Sequence, residues 1–199
     1  MTKIKFCGLS RQVDIDYVNE LLPDYIGFVF YEKSKRNVSF ETAKSLKKRL
    51  DKKIKAVGVF VDKDISFITN LVDSGVIDIV QLHGNEDDAY ISNLRKAVNI
   101  PIIKAFKIKS QEDISFINSS SADYVLLDSG MGTGKAFDWS LISGIKRDFF
   151  LAGGLNLENI SEALNMIKPF AIDVSSGIET DGYKDFDKMK QFMTVTQDT

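Results

Sequence analysis

The sequence predicts an α/β protein that folds as one compact (β/α)8 barrel of the TIM type, and three observations support this fold class. Eight short apolar runs with β-strand character recur along the 199 residues, segments with helical spacing separate them, and no linker rich in Pro, Gly or Ser interrupts them. Such alternation is typical of a doubly wound sheet or a closed barrel, and eight strands favour the barrel. We therefore expect residues 1–199 to form a single domain, smaller than the roughly 250 residues typical of this fold.

The predicted strands are mostly rich in Val, Ile, Leu or Phe on both faces, as buried parallel strands are. In chain order they span Ile4–Leu9, Tyr25–Phe30, Ala56–Val61, Ile79–His83, Ile102–Phe106, Tyr124–Asp128, Phe149–Ala152 and Ala171–Ser175.

Between the strands, apolar residues recur with helical spacing. The four clearest stripes are Val13, Tyr17, Val18, Leu21 and Leu22; Phe40, Ala43, Leu46 and Leu50; Ile65, Ile68, Leu71 and Val72; and Ile160, Ala163, Leu164 and Ile167. Asp64, Asp138 and Asn156 are the predicted helix starts. The helical segments after Phe106 and Trp139 are expected to be shorter and weaker.

Composition and charge exclude several classes of function. The net charge is −2 and basic residues are interleaved with acidic ones, so no basic face for nucleic acid is predicted. One Cys and one His cannot form an internal disulfide or a typical structural zinc site. No apolar run reaches transmembrane length and no signal peptide is recognisable, so we expect a cytoplasmic protein without a membrane partner. The composition is still compatible with binding of a small anionic ligand, because arginines and backbone N–H groups can bind it locally.

A barrel of this kind carries its active site at the carboxyl ends of its strands. Polar residues stand at these ends, and alternation places some of them on one face with a polar residue two positions earlier. They are Cys7 with Lys5, His83 with Gln81, Ser175 with Asp173, and Asp128. We expect the three pairs to point into the barrel.

Glycine-containing loops follow the last two strands. Gly153 and Gly154 end the seventh, and Ser175, Ser176 and Gly177 end the eighth. Barrels often bind phosphate with these two loops, because glycine lets the backbone approach the ligand and N–H groups stabilise its charge. Each motif alone is equally compatible with a plain turn, but the two together favour a phosphate site.

Two residues are candidates for acid–base chemistry, each with a structural alternative. Asp128 ends an apolar strand, where a partly buried carboxyl can act as acid or base, and a loop cap is the alternative. Cys7 is the single thiol, and a lone buried cysteine is more often a small apolar residue. Its place at a strand end, two residues after Lys5, is also compatible with a reactive thiolate.

Two further residues are candidates for binding. Arg36 follows the second strand, where its guanidinium either matches a carboxylate or is a solvated loop charge. His83 is either a hydrogen-bond donor near the site or a packing residue. Trp139 is expected to pack a helix against the barrel.

Fragments along nearly the whole chain resemble the phosphoribosylanthranilate isomerase family. In order they are Lys5–Leu9, Gly27–Phe30, Ser34–Arg36, Val57–Val61, Gln81–Gly84, Leu127–Asp128, Gly132–Gly134, Phe137–Trp139, Leu151–Leu155 and Asp173–Glu179. The resemblance implies an isomerase of tryptophan biosynthesis that opens the ribose ring of N-(5'-phosphoribosyl)anthranilate in an Amadori-type rearrangement. Such an aldose–ketose shift needs one acid and one base but no metal and no redox cofactor. Family members occur as monomers and dimers.

The resemblance also implies roles for individual residues. Cys7 matches the family's general base, Asp128 its general acid, and Arg36 the residue that holds the anthranilate carboxylate. The two glycine-containing loops match its phosphate site. Asp173 and His83 match residues that line its pocket, without an assigned role.

The chain departs from the family pattern in places that leave every catalytic group present. Lys35 replaces a proline, Met131 replaces the first glycine of Gly-Gly-Thr-Gly, and the stretch after Asp128 is short. Two alternatives stay open: a related sugar-phosphate barrel of histidine or tryptophan synthesis, and a non-catalytic barrel that binds a phosphate ligand. A cysteine base argues against the first, and retention of Cys7, Asp128 and Arg36 together argues against the second.

Overall fold

The structure, a computed structural model, describes residues 1–108, 110–128 and 139–197. Its eight main strands are parallel and close into one barrel in sequence order, with the last strand hydrogen-bonded to the first. They are β1 Lys3–Cys7, β2 Tyr25–Phe30, β3 Lys55–Phe60, β4 Ile79–Leu82, β5 Ile102–Lys107, β6 Tyr124–Asp128, β7 Phe149–Ala152 and β8 Ala171–Val174. The predicted (β/α)8 barrel is confirmed, and every predicted strand lies within two residues of an observed one.

Helices surround the barrel in the described residues. They are α1 Gln12–Leu21, α2 Phe40–Arg49, α3 Ile65–Asp73, α4 Asp88–Ala97, α5 Gln111–Ser119, α6 Ile160–Met166 and α7 Phe186–Gln197. Two 3₁₀ helices, Trp139–Gly144 and Ser176–Ile178, follow β6 and β8, and a hairpin of β9 (Glu179–Thr180) and β10 (Tyr183–Lys184) leads into α7. The α-helix expected to be short after Phe106 has 9 residues, as many as α3, and Asp113 Oδ2 accepts the Ser110 N–H at its start.

The apolar stripe predicted for α1 is partly wrong. Val13 and Leu22 are exposed, whereas Ile15 and Val18 are fully buried. Leu22 lies beyond the last helical residue in the left-handed conformation (φ 54°), which turns its side chain out of the stripe. The face of α1 that packs on the barrel is therefore rotated from the predicted stripe toward Ile15.

Two predicted helix starts can be compared with the structure. Asp64 is confirmed as the residue that precedes α3. The predicted helix start at Asn156 is wrong, because α6 begins at Ile160. The Asn156 side chain instead closes a turn by accepting the N–H of Asn159 at 3.1 Å. Asp138, the Trp139 side chain and the Gly132–Gly134 fragment lie outside what the structure describes.

The core has two parts, and the inner one positions the site. Outward-facing strand residues such as Phe6 and Val174 pack under the helices. Apolar side chains fill the barrel interior: Tyr25, Val57, Ile79, Ile103, Leu126, Phe150, Ala152 and Ala171. These apolar side chains form what we call the plug, and Lys5, Gln81 and Asp173 are buried polar residues beside it. Beyond the plug, polar side chains point inward at the carboxyl ends of the barrel, as predicted from the alternation of side chains along each strand.

Candidate active site

A cavity of about 290 Å3 lies at the carboxyl ends of the strands. Nine of the ten residues predicted for the site line it: Cys7, Arg36, His83, Asp128, Gly153, Gly154, Asp173, Ser175 and Ser176. They follow or end six different strands, so closure of the barrel is what brings them together. A second cavity of about 510 Å3 adjoins it at the ends of β4 and β5 and shares Val61, His83 and Asp128.

Cys7 ends β1 and points into this cavity. It is buried, at 8% exposure, and it pairs in register with Gly27 of β2. A Cβ on Gly27 would lie only 2.7 Å from the Cys7 Sγ, so the glycine makes room for the thiol. Burial raises the pKa of the Cys7 thiol above its usual value, while the nearby Lys5 ammonium opposes that rise.

Asp173 lines the cavity and forms a buried ion pair with Lys5, which lies behind it. The Lys5 Nζ donates to Asp173 Oδ2 at 2.8 Å, and the lysine is fully buried. Burial alone would lower the pKa of Lys5, but Asp173 and Cys7 outweigh it, so the pKa is raised and Lys5 stays charged. The other oxygen, Asp173 Oδ1, is buried with no hydrogen-bond partner among the described residues. It is available to accept a hydrogen bond from a ligand in the cavity.

His83 lies between β4 and the carboxyl of Asp128. The Gln81 Nε2 lies 3.1 Å from His83 Nδ1, and an amide N–H donor there matches the ring tautomer that carries its proton on Nε2. That Nε2 is 4.0 Å from Asp128 Oδ2, too far for a direct hydrogen bond. Burial lowers the pKa of His83, so the ring is neutral at physiological pH. The arrangement offers a neutral N–H donor beside the carboxyl.

Arg36 enters the cavity from the loop after β2 and is held by Glu179. The Arg36 Nε and Nη2 donate to the two Glu179 carboxylate oxygens at 2.7 and 2.6 Å. A guanidinium has five N–H donors, so three remain for other partners. Burial would raise the pKa of Glu179, but hydrogen bonds from Arg36 and Lys184 outweigh it and hold the pKa below its usual value.

Lys184 connects Glu179 to the loop after β8. Its Nζ donates to Glu179 Oε1 at 2.6 Å and to the Ser175 carbonyl at 2.9 Å, and its side chain is buried. Glu179 and Lys184 were not predicted as site residues. Glu179 ends the last of the fragments that resemble the family, which was the one available signal, and nothing in the sequence indicated Lys184.

The loops after β7 and β8 form the predicted phosphate region. Gly153 and Gly154 have φ values of 92° and 68°, a backbone conformation that other residues rarely adopt and that can converge N–H groups on an anion. Gly177 is the one predicted site residue that does not line the cavity. A Cβ on it would lie 2.0 Å from the Leu155 carbonyl oxygen, so Gly177 lets the two loops pack against each other.

The described residues offer neither a cluster of metal ligands nor a membrane-spanning helix. No three side chains of His, Cys, Asp or Glu cluster there as a metal ion would require. Among the described helices, none combines the length and the apolar character needed to cross a membrane.

Comparison with known proteins gives consistent matches over the whole chain. A family model described as N-(5'-phosphoribosyl)anthranilate (PRA) isomerase matches residues 4–195. A protein named N-(5'-phosphoribosyl)anthranilate isomerase from Endomicrobium trichonymphae is 44% identical over 200 residues, or 98% of each chain. One of the same name from Clostridium kluyveri is 45% identical over 97% of this chain and 96% of its own.

Solved structures agree with these matches. Phosphoribosyl anthranilate isomerase from Thermotoga maritima has a TM-score of 0.89 and 35% identity, with both chains covered completely. A phosphoribosyl anthranilate isomerase solved in complex with reduced 1-(o-carboxyphenylamino)-1-deoxyribulose 5-phosphate has a TM-score of 0.87 and 35% identity, again over 100% of both chains. With a family model that covers most of its length and relatives this similar from end to end, the chain belongs to the N-(5'-phosphoribosyl)anthranilate isomerase family.

Proposed function

We propose that the protein converts N-(5'-phosphoribosyl)anthranilate into 1-(2-carboxyphenylamino)-1-deoxyribulose 5-phosphate, a step of L-tryptophan biosynthesis. The observation that carries the proposal is one cavity lined by a thiol, a carboxyl, a guanidinium and two glycine-containing loops. The substrate offers matching groups, with a phosphate at one end, a carboxylate at the other and the reacting sugar carbons between them. Family membership supports the same reaction.

Asp128 is proposed as the general acid that opens the ring. Its carboxyl gives a proton to the ribose ring oxygen as the bond between that oxygen and C1 breaks. The lone pair of the anthranilate nitrogen forms a C1=N double bond in the same step. The neutral His83, with its Nε2 4.0 Å from Asp128 Oδ2, supplies an N–H donor beside the leaving oxygen.

Cys7 is proposed as the general base of the second step. Its thiolate removes the proton from C2, and the C–H electrons form a C1=C2 double bond while the C1=N electrons return to nitrogen. Loss of the O2 proton and protonation of C1 then give the ketone. Asp128 has lost one proton and Cys7 has gained one, so exchange with solvent restores both. The sequence of steps balances without an oxidant, a reductant or a metal ion.

Arg36 and the two loops are proposed to hold the ends of the substrate. The three free donors of Arg36 suit the planar carboxylate of anthranilate. The backbone of Gly153, Gly154 and the Ser175–Gly177 segment suits the phosphate. Asp173 Oδ1, which is buried and unpartnered, suits a sugar hydroxyl. Holding both ends places C2 near the thiol, and such positioning contributes much of the rate in enzymes of this type.

The proposal includes the setting of the reaction. We expect residues 1–199 to act as one domain, in the cytoplasm, as a monomer or a homodimer, with a phosphorylated small molecule as partner and no cofactor. A related structure from Thermotoga maritima shows monomers generated from a dimeric phosphoribosylanthranilate isomerase, which supports a barrel of this family in either state.

Growth of a bacterium that lacks its own isomerase for this step tests the proposal. The wild-type chain is expected to restore growth without tryptophan, and Cys7→Ser, expressed to the same soluble level, is not. Growth with both would remove Cys7 from the role of base. Growth with neither, in cells that contain the folded protein, would contradict the function.

A further inference from the structure

Lys5 lies behind the cavity wall, on the same face of β1 as the proposed base. It is fully buried, and an ammonium group is costly to bury unless it is paired. Asp173 Oδ2 accepts a hydrogen bond from its Nζ at 2.8 Å. Cys7 lies two residues further on the same face of β1, also buried, and the Lys5 ammonium acts electrostatically on its thiol. Lys5 thus pairs with a carboxylate and lies beside a thiol inside the barrel.

A role in stability alone does not account for this lysine. Replacing a buried ion pair by apolar residues of similar volume is often neutral or stabilising. Several neighbouring interior positions are apolar, among them Tyr25, which pairs with Lys5 in register on β2, and Ala171 on β8. Apolar residues at position 5 and at its register partner Asp173 together would therefore suit the plug. The observed charge instead lies on the same face of β1 as the single cysteine of the chain.

We propose that Lys5 is a positioning residue that stabilises the thiolate of Cys7, and that Asp173 fixes the Lys5 ammonium in place for this purpose. The inference rests on the proposed function, in which Cys7 must lose its proton before it can act as a base. A thiolate in a buried site needs a neighbouring positive charge, and Lys5 supplies it from below, on the side away from the substrate.

Four charged groups act on the Cys7 thiol. Lys5, Lys184 and Arg36 favour the thiolate, whereas Asp173 opposes it. Among the three cations Lys5 has the largest effect after the burial of the thiol itself. Removing Lys5 should therefore disfavour the thiolate, and removing the negative charge of Asp173 should favour it.

The test is a pH titration of thiolate ultraviolet absorbance in the full-length protein. Each spectrum is taken as a difference from the matching Cys7→Ser version, so that the tyrosines cancel. Lys5→Met is expected to raise the midpoint by about one pH unit or more, which is about tenfold less thiolate at a given pH. Lys104→Met is the matched control, because Lys104 is a second buried lysine with a carboxylate partner, Glu86, at 2.9 Å. We expect it to leave the midpoint unchanged.

Asp173→Asn keeps an oxygen that can accept the Lys5 hydrogen bond but removes the negative charge, so it supplies a test of opposite sign and is expected to lower the midpoint. If Lys5 and Asp173 had only a structural role, both substitutions would shift the titration midpoint in the same direction, or neither would shift it. If Lys5→Met does not fold, the direction of the Asp173→Asn shift decides. An unchanged midpoint in Lys5→Met, or a shift that is absent or upward in Asp173→Asn, overturns the proposal. No substrate is present in the titration, so its result is separate from turnover: a wild-type protein that turns over substrate keeps the proposed function even when Lys5 fails this test.

Discussion

Arg36 and Glu179 stand 143 positions apart in the sequence and form a two-point ion pair, with N···O distances of 2.7 and 2.6 Å. Lys184 binds the same carboxylate and also the Ser175 carbonyl. The residue proposed to hold the substrate carboxylate is therefore tied to the loop proposed to hold its phosphate. These contacts fix the distance between the two proposed anion-binding regions.

Glu179→Gln tests whether this connection aligns Arg36. We expect KM to rise by about tenfold with a small change in kcat, because the variant removes a charge-assisted contact worth roughly 1.5–3 kcal/mol. It should also lower the thermal midpoint of unfolding, since the buried Lys184 loses its charged partner. Steady-state kinetics and a melting curve measure the two effects. Glu20→Gln, at an exposed position on α1, is the control, and a KM equal to that of the control would refute the alignment role.

Arg36→Ala removes the proposed carboxylate contact itself. KM should rise more than in Glu179→Gln, while kcat stays closer to wild type, because binding is lost rather than acid–base chemistry. Arg36→Lys should recover only part of the affinity, since an ammonium cannot reproduce the planar two-point contact. Initial rates over a range of substrate concentrations measure both variants. An unchanged KM in Arg36→Ala would assign carboxylate recognition to another residue.

Asp128→Asn removes the proposed acid and keeps the side-chain volume. We expect kcat to fall by about 10²- to 10⁴-fold, the usual contribution of one general acid or base, with KM nearly unchanged. Asp16→Asn is a suitable control, because Asp16 is an exposed carboxylate on α1. A variant that changes KM alone would show that Asp128 binds substrate without donating a proton.

Because burial raises the pKa of Cys7, we expect its alkylation by iodoacetamide to need an alkaline pH. Burial raises the pKa of this thiol above the ordinary 9.0, so the reactive thiolate becomes more abundant as pH rises past that value. The alkylation rate of the wild-type protein is therefore expected to keep increasing beyond pH 9. Mass spectrometry of samples quenched at intervals measures it, and Cys7→Ser gives the background. A rate that levels off near neutral pH would mean that positive charges outweigh burial at this site.

Much of the fold was predictable because the relevant signals are local. Buried parallel strands are continuous apolar runs, and Tyr25–Phe30, Tyr124–Asp128 and Phe149–Ala152 were located without error. The helix prediction was wrong at Leu22, which continues the apolar spacing but adopts the left-handed conformation that ends α1. It was also wrong at Asn156, whose side chain closes a turn before α6 begins.

The candidate site was predictable only in part. Cys7 and Asp128 end strands, and barrel topology alone brings such ends to one rim. Ion pairs between distant strands form only when the barrel closes, and no spacing pattern in the sequence predicts them. Lys5 and Asp173, for example, pair although they are 168 positions apart. Glu179 and Lys184 lie beyond β8 in a short hairpin, where no periodic pattern marks a functional residue.

The most direct test of the proposed reaction is turnover of freshly made phosphoribosylanthranilate by the purified protein, followed by the change in anthranilate fluorescence, with Cys7→Ser measured in parallel. We expect rapid conversion by the wild-type protein, and in Cys7→Ser a kcat lower by about 10²- to 10⁴-fold with retained affinity for the reduced product analogue. No conversion by a wild-type protein that is folded and binds phosphate would contradict the proposed reaction, and equal conversion by both proteins would contradict the role of Cys7.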